Sequence, residues 1–377
     1  MKKDILPFYQ PSNRVITKSK DCYLFDSEGK KYIDFESGVW CTNIGHSNDQ
    51  IIKRISEQIM EVIHHGYYFR NISAEELSVK LQQLIGFENG ASVFLSSGSE
   101  AVNLSITLAR RFTGKKKILK IDNSYLSAFG FGQISDENET LVNVKFNDLN
   151  SIDKIDFKNI AAFLVETGGA SVDMVRFPDK EYIHKLEKRC RENGCLIIAE
   201  EVTTGMGRLG KWFGYQHYDL VPDILVAGKA LGNGFPVSSV TLNSNLAGKF
   251  AQHPFRYAQS HQNDPLGCTI ALETIKFIEE NQLINKANST GEYFKKQLEH
   301  IHFRNPEKIK EIRARGLMLA LEFNKAVNGE RISNQLFESG FVTGFKQNTL
   351  RFLPPLTIKN SDIDRLIFKL DELLKIE

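Results

Sequence analysis

Between residues 94 and 240 short apolar runs alternate with stretches whose apolar positions recur every three to four residues. Ala161-Ala-Phe-Leu-Val165 is one such run; 181–191 has the helical period, and 196–199 is the next run. Apolar runs too short for helices, separated by amphipathic helices, predict a mainly parallel sheet covered by helices. Ahead of this region, Cys22-Tyr-Leu-Phe25 and Lys31-Tyr-Ile-Asp-Phe35 read as extended segments joined by the turn Asp26-Ser-Glu-Gly29. A helix follows with Ile52, Ile55, Ile59, Val62 and Ile63 predicted on one face. After about residue 265 the pattern becomes α+β: 265–279 predicts a helix and Gly316-Leu-Met-Leu-Ala-Leu-Glu-Phe323 a strand. A last helix, with Ser361 as its expected cap, places Ile363, Leu366, Ile367, Leu370 and Leu374 together. The expected class is α/β, with a large domain over 46–265 and a smaller α+β domain built from 1–45 and 266–377. The chain contains no linker, repeat or low-complexity segment.

Composition narrows the function classes. At 377 residues and 41% hydrophobic content the chain can bury a large core, and a formal net charge of +2 gives no case for nucleic acid or a membrane surface. Cys22, Cys41, Cys190, Cys195 and Cys268 are odd in number and lack Cys-x-x-Cys spacing, which argues against a disulfide frame or a zinc site. Met1-Lys-Lys-Asp-Ile-Leu-Pro7 lacks the apolar core of a signal peptide. A cytoplasmic enzyme acting on small molecules, with no metal, is the expectation.

Three segments carry candidate chemistry. The apolar run Ile224-Leu-Val-Ala227 delivers Lys229 into the glycine-rich turn Gly228-Lys-Ala-Leu-Gly-Asn-Gly234, where an amine could form a Schiff base with an aldehyde cofactor. About 30 residues earlier, Cys195-Leu-Ile-Ile-Ala-Glu-Glu-Val202 reads as a buried strand that ends in Glu200 and Glu201, and a carboxylate at the carboxyl end of a parallel strand points into the ligand crevice. There it could hold a protonated pyridine nitrogen. In Ser92-Val-Phe-Leu-Ser-Ser-Gly-Ser-Glu100 an apolar strand turns through Ser96, Ser97, Gly98 and Ser99 into a helix, whose free N–H groups and dipole suit a phosphate. Each alone has an ordinary structural explanation: a solvated lysine, a strand-end carboxylate, a serine N-cap. Their order along the chain points to pyridoxal phosphate.

With these motifs the chain resembles the class III aminotransferases of fold type I, the group containing ornithine, acetylornithine and 4-aminobutyrate aminotransferases. The resemblance runs from Tyr32-Ile-Asp-Phe35 and Gly45-His46 to Leu350-Arg-Phe-Leu-Pro-Pro-Leu-Thr-Ile358. It implies a seven-stranded, mainly parallel sheet with helices on both faces, pyridoxal 5'-phosphate as cofactor, and a homodimer with shared sites. By this resemblance Lys229 is the internal aldimine lysine and also moves the substrate proton. Glu200 falls where the family has a pyridinium-binding Asp, Val202 on one face of the ring and Tyr125 on the other. Ser97, Gly98 and Ser99 take the phosphate position, and Ser260 matches a hydroxyl residue that reaches the phosphate of the neighbouring subunit. Arg351 matches an arginine that binds a substrate carboxylate, a task suited to the planar guanidinium. Glu166 matches the family's first glutamate, while Val39, Trp40 and Tyr67-Tyr-Phe69 lie where a substrate pocket is built. His46 has no evident chemical role and reads as a satisfied structural histidine.

Departures from the family pattern bear on substrate. Glu200 is one methylene longer than Asp, and Thr203 replaces a Gln that contacts the phenolic oxygen, with a shorter reach. Tyr125-Leu126-Ser127 replaces Tyr-His-Gly, and the segment from Phe129 to Asn147 looks short. In Val165-Glu-Thr-Gly-Gly-Ala-Ser-Val172, Ser171 stands where ornithine-type enzymes carry a second glutamate that pairs with the arginine. Arg351 is therefore expected to be permanently available to a carboxylate. The expected activity is transfer of an amino group from an amino acid or ω-amino compound to a keto acid or aldehyde. An amino acid racemase, epimerase or aminomutase on the same fold is the alternative, and a catalytically inactive binding protein a more distant one.

Overall fold

The computed structural model describes Leu6, Phe8 and residues 12–132, 140–169 and 175–376. Near the start, β1 (Ile16–Lys20), β2 (Tyr23–Asp26) and β3 (Lys31–Asp34) form an antiparallel ribbon. The central sheet uses β4 (Ala91–Leu95), β5 (Lys117–Ile121), β6 (Leu141–Val144), β7 (Ile160–Glu166), β8 (Leu196–Glu200), β9 (Ile224–Ala227) and β10 (Ser238–Leu242). Its strand order is β4-β10-β9-β8-β7-β5-β6. Only β10 runs antiparallel to its neighbours; the pairings of β5 with β6 and β7, of β7 with β8, and of β8 with β9 are parallel. This is the mainly parallel sheet that the sequence predicts.

Every residue of β7 is buried, because helices cover both faces of a sheet built from crossover units. Phe163 and Val165 enter one apolar core while Ala162 and Leu164 enter the other. The helix Gly98–Thr113 packs Ala101, Val102, Leu104 and Leu108 into the second core and stops at Gly114, whose φ of 70° is the left-handed conformation that glycine adopts without strain.

Toward the carboxyl end, β11 (Ile309–Arg315), β12 (Met318–Phe323), β14 (Gly344–Lys346) and β15 (Thr349–Phe352) form an antiparallel sheet ordered β11-β12-β15-β14. Strand β13 (Phe341–Val342) leaves this sheet and pairs in parallel with β3. Arg208, with no exposed surface, ties the same regions: it donates to the carbonyls of Leu317 (2.9 Å) and Pro354, to Ser37 Oγ (3.0 Å) and to Asn43 Oδ1.

Two expectations need adjusting. In the helix Asp49–Glu61 the inward positions are Ile51, Ile55 and Gln58, while Ile52 and Ile59 remain nearly half exposed. The buried Gln58 is satisfied by Thr269 Oγ1 (2.9 Å) and by Val62 O (2.9 Å), so a polar residue sits where periodicity predicts an apolar one. The last helix begins at Asn360, which places Ser361 inside its first turn. Among the described residues no helix is long and apolar enough to cross a membrane.

Candidate active site

Parallel strands bring their carboxyl ends to one edge of the sheet, and the candidate residues meet there. Glu166 and Glu200 end β7 and β8 in register with each other, and β9 leads through Gly228 to Lys229. Lys229 has φ +44°, a strained conformation for a residue with a Cβ. Its Nζ donates to Thr203 Oγ1 at 2.8 Å and lies 4.7 Å from the centroid of the Trp40 ring. Burial lowers the pKa of this amine, while Glu200, Cys41 and Glu166 pull it back up. A depressed pKa raises the fraction of neutral, nucleophilic amine.

The two adjacent glutamates separate into different tasks. Glu201 accepts the N–H groups of Gly214 and Tyr215, both at 2.7 Å, and the hydroxyl of Thr204, and so fixes the turn Gly214–His217. Glu200 accepts the N–H of Val202 at 3.1 Å, and among the described residues no Lys or Arg nitrogen lies within 4 Å of it. Burial pushes its carboxyl from an ordinary 4.5 up to about 7, against the opposing pull of the Lys229 charge. A buried carboxylate in this state is stabilised by any cation that a ligand brings.

At the start of the helix Gly98–Thr113, Glu100 and Ser97 form a capping box: Ser97 Oγ accepts from Glu100 N, and Glu100 Oε2 takes the N–H groups of Ser96 and Ser97. The Ser97 hydroxyl is thus engaged with Glu100. The N–H groups of Gly98 and Ser99 have no protein partner among the described residues and sit at the positive end of the helix dipole. A Cβ on Gly98 would lie 2.8 Å from Val202 Cγ1, so only glycine lets the helix start approach β8 this closely. Ser99 Oγ accepts from Ala128 N (3.0 Å) and draws the Tyr125 loop alongside, with Tyr125 itself partly exposed.

Arg351 departs from expectation. Its Nη2 lies 3.2 Å from Glu36 Oε2 and its Nε 3.4 Å from Glu36 Oε1, so the guanidinium has a resident carboxylate partner. The pairing is possible because Arg351 faces Gly344 across β14 and β15, and a Cβ at Gly344 would fall 2.4 Å from Glu36 Oε1. Trp40 Nε1 donates to Glu36 Oε2 at 3.2 Å, and its ring centroid is 4.7 Å from the Arg351 guanidinium carbon. Trp40 is buried and Val39 exposed, on a left-handed turn in which Ser37, Gly38, Val39 and Trp40 all have positive φ. Three of these residues carry a Cβ, a concentration of strain of the kind that collects at functional sites.

Sequence reasoning passed over Glu36: the pair closes across 315 residues, and no local signal joins its members. It also passed over Arg208. His46 Nε2 donates to Asp34 Oδ2 at 2.7 Å, a satisfied structural role as expected. Ser260 is exposed in the segment before the helix Pro265–Glu280, and Tyr67, Tyr68 and Phe69 are likewise exposed. Ser171 lies outside the described residues.

A phosphorylated aromatic aldehyde with a basic ring nitrogen fits this set of groups. The two open N–H donors suit its phosphate, Glu200 its ring nitrogen and the Lys229 amine its aldehyde. The family described as aminotransferase class-III matches residues 8–129 and 128–374. The acetylornithine aminotransferase of Archaeoglobus fulgidus is 31% identical, covering 97% of this chain and 97% of that protein. That of Clostridium acetobutylicum is 32% identical over 99% of this chain and all of its own length. Among solved structures, an acetylornithine aminotransferase from Elizabethkingia anophelis superposes with TM-score 0.87 at 26% identity, over 100% of this chain and 97% of its own. A transaminase from Virgibacillus gives 0.91 at 23%, over 99% and 97%.

Proposed function

Because the chain belongs to the class-III aminotransferases, which depend on pyridoxal phosphate, we propose that Lys229 is the residue on which its amino transfer turns. The observation that carries this is the partly buried Lys229 amine, held by Thr203 at the same strand ends as the buried Glu200. When bound, pyridoxal phosphate supplies an electron-withdrawing ring that stabilises negative charge at the substrate Cα. The protein supplies the rest. Lys229, with its pKa lowered by burial, takes the proton from the substrate Cα and returns one, and Thr203 Oγ1 aims its amine. Glu200 would hold the ring nitrogen and keep a proton on it. Gly98 and Ser99 would hold the phosphate through their N–H groups, with Ser97 shaping the turn, and Val202 and Tyr125 would flank the ring.

The donor is an amino acid or ω-amino compound and the acceptor a keto acid or aldehyde; Glu166, Val39, Trp40 and Arg351 shape that pocket. A homodimer is supported by the exposed apolar residues Ile52, Ile59, Met60 and Ile63 with Tyr67 to Phe69, and by the exposure of Ser260, which by the family resemblance would serve a partner's phosphate. Pairing of β3 with β13 supports a small domain joining 1–45 to 266–377, with 46–265 as the large domain. Five free thiols support a cytoplasmic setting.

The test is to incubate the holoenzyme with single amino donors and follow the cofactor spectrum. Conversion to the pyridoxamine form, reversed by a keto acid or aldehyde, is expected. Inversion or positional isomerisation of the donor with no acceptor present would favour a racemase or mutase instead.

A further inference from the structure

We propose that Glu36 determines the substrate selectivity of this site: as a fixed counter-ion it neutralises Arg351, holds other carboxylates off that guanidinium, and favours substrates whose far end is uncharged. This deepens the aminotransferase reading above and rests on it. The Glu36 and Arg351 side chains are only 11% and 12% exposed, and they meet through two N–H donors of the guanidinium. A carboxylate approaching Arg351 would face the negative charge of Glu36 and compete for donors already engaged.

Several contacts keep Glu36 in place. Its N–H donates to Asp34 Oδ1 (2.8 Å), its carbonyl accepts from Trp40 N (2.7 Å), and its carboxylate accepts from Trp40 Nε1. Asp34 is itself anchored by His46 and by the N–H of Gly38 (2.9 Å). On the other side Gly344 leaves no more room than the carboxylate fills. Rotating Glu36 out would leave Arg351 without this partner and Trp40 Nε1 without its acceptor, so the pair is a standing feature of the pocket. The same Trp40 ring contacts the Lys229 amine, which puts the pair across that ring from the reacting amine, within reach of a carboxylate at the far end of a short substrate.

The experiment compares wild type, Glu36→Gln and Glu36→Asp as holoenzymes. Gln keeps the shape and can still accept from Arg351 but carries no charge; Asp keeps the charge. Binding of glutarate, an unreactive dicarboxylate, is measured by calorimetry. The ratio of kcat/KM for 4-aminobutyrate to that for butylamine is measured alongside, since a ratio cancels any general loss of folded enzyme. Glu36→Gln should bind glutarate at least about tenfold more tightly than wild type and raise the ratio by a similar factor, while Glu36→Asp stays near wild type. Unchanged glutarate affinity and an unchanged ratio in Glu36→Gln would overturn the proposal, as would equal gains in the Asp variant. If neither these amines nor any α-amino acid donor converted the wild-type cofactor to its pyridoxamine form, the aminotransferase reading would fail, and the glutarate titration would still decide the role of Glu36.

Discussion

Replacing Glu200 by Gln should stabilise the cofactor-free protein and destabilise the cofactor-bound one. In the folded chain burial lifts the Glu200 carboxyl from 4.5 to about 7. The native state therefore binds more protons than the unfolded state between these values, and stability falls as pH rises through this window. The full penalty, present above about pH 7, is roughly 3 kcal/mol from a shift of this size. Gln has the same shape and can accept the Val202 N–H, yet it has nothing to ionise. Glu201 is unchanged in the variant, so its own burial drops out of the comparison. Urea denaturation of both cofactor-free proteins from pH 5 to pH 8 should show little difference at pH 5 and a variant more stable by up to about 3 kcal/mol at pH 8. Adding pyridoxal phosphate should reverse the order, because the ring-nitrogen cation then lacks its partner at a cost of about 3–5 kcal/mol. Parallel pH profiles for the two cofactor-free proteins would refute the reasoning.

Gly98→Ala places a methyl 2.8 Å from Val202 Cγ1. It should lower stability by about 1–3 kcal/mol and weaken cofactor retention, with Val202→Ala restoring much of both when combined; thermal melts and cofactor dialysis read the two effects. Arg208→Met removes a buried guanidinium from the Leu317 and Pro354 carbonyls and from Ser37 and Asn43, and should lower stability by about 3 kcal/mol in denaturant unfolding.

The central sheet was legible because buried parallel strands are short apolar runs, as at Ala161 to Val165, and the helices between them keep a 3.6 period. Lys229, Glu200 and Gly98 were legible for a related reason. Each sits at the end of a readable strand or the start of a readable helix, where α/β sheets bind ligands. Gln58 was not, because a polar residue enters a core only with partners, and Thr269 is supplied from a helix 211 residues away. The Glu36–Arg351 pair and the Arg208 contacts were hidden for the same reason: they join segments that only the folded chain brings together. The left-handed turn at Ser37 to Trp40 was hidden differently, since Val39 and Trp40 carry no local preference for positive φ.

Amino transfer by this chain turns on one amine. Reducing the holoenzyme with borohydride should abolish its visible absorption and leave a pyridoxyl group that mass spectrometry of the digested chain places on Lys229, with no labelling in Lys229→Ala. A reducible band that persists in that variant, or a label on a different lysine, would contradict it.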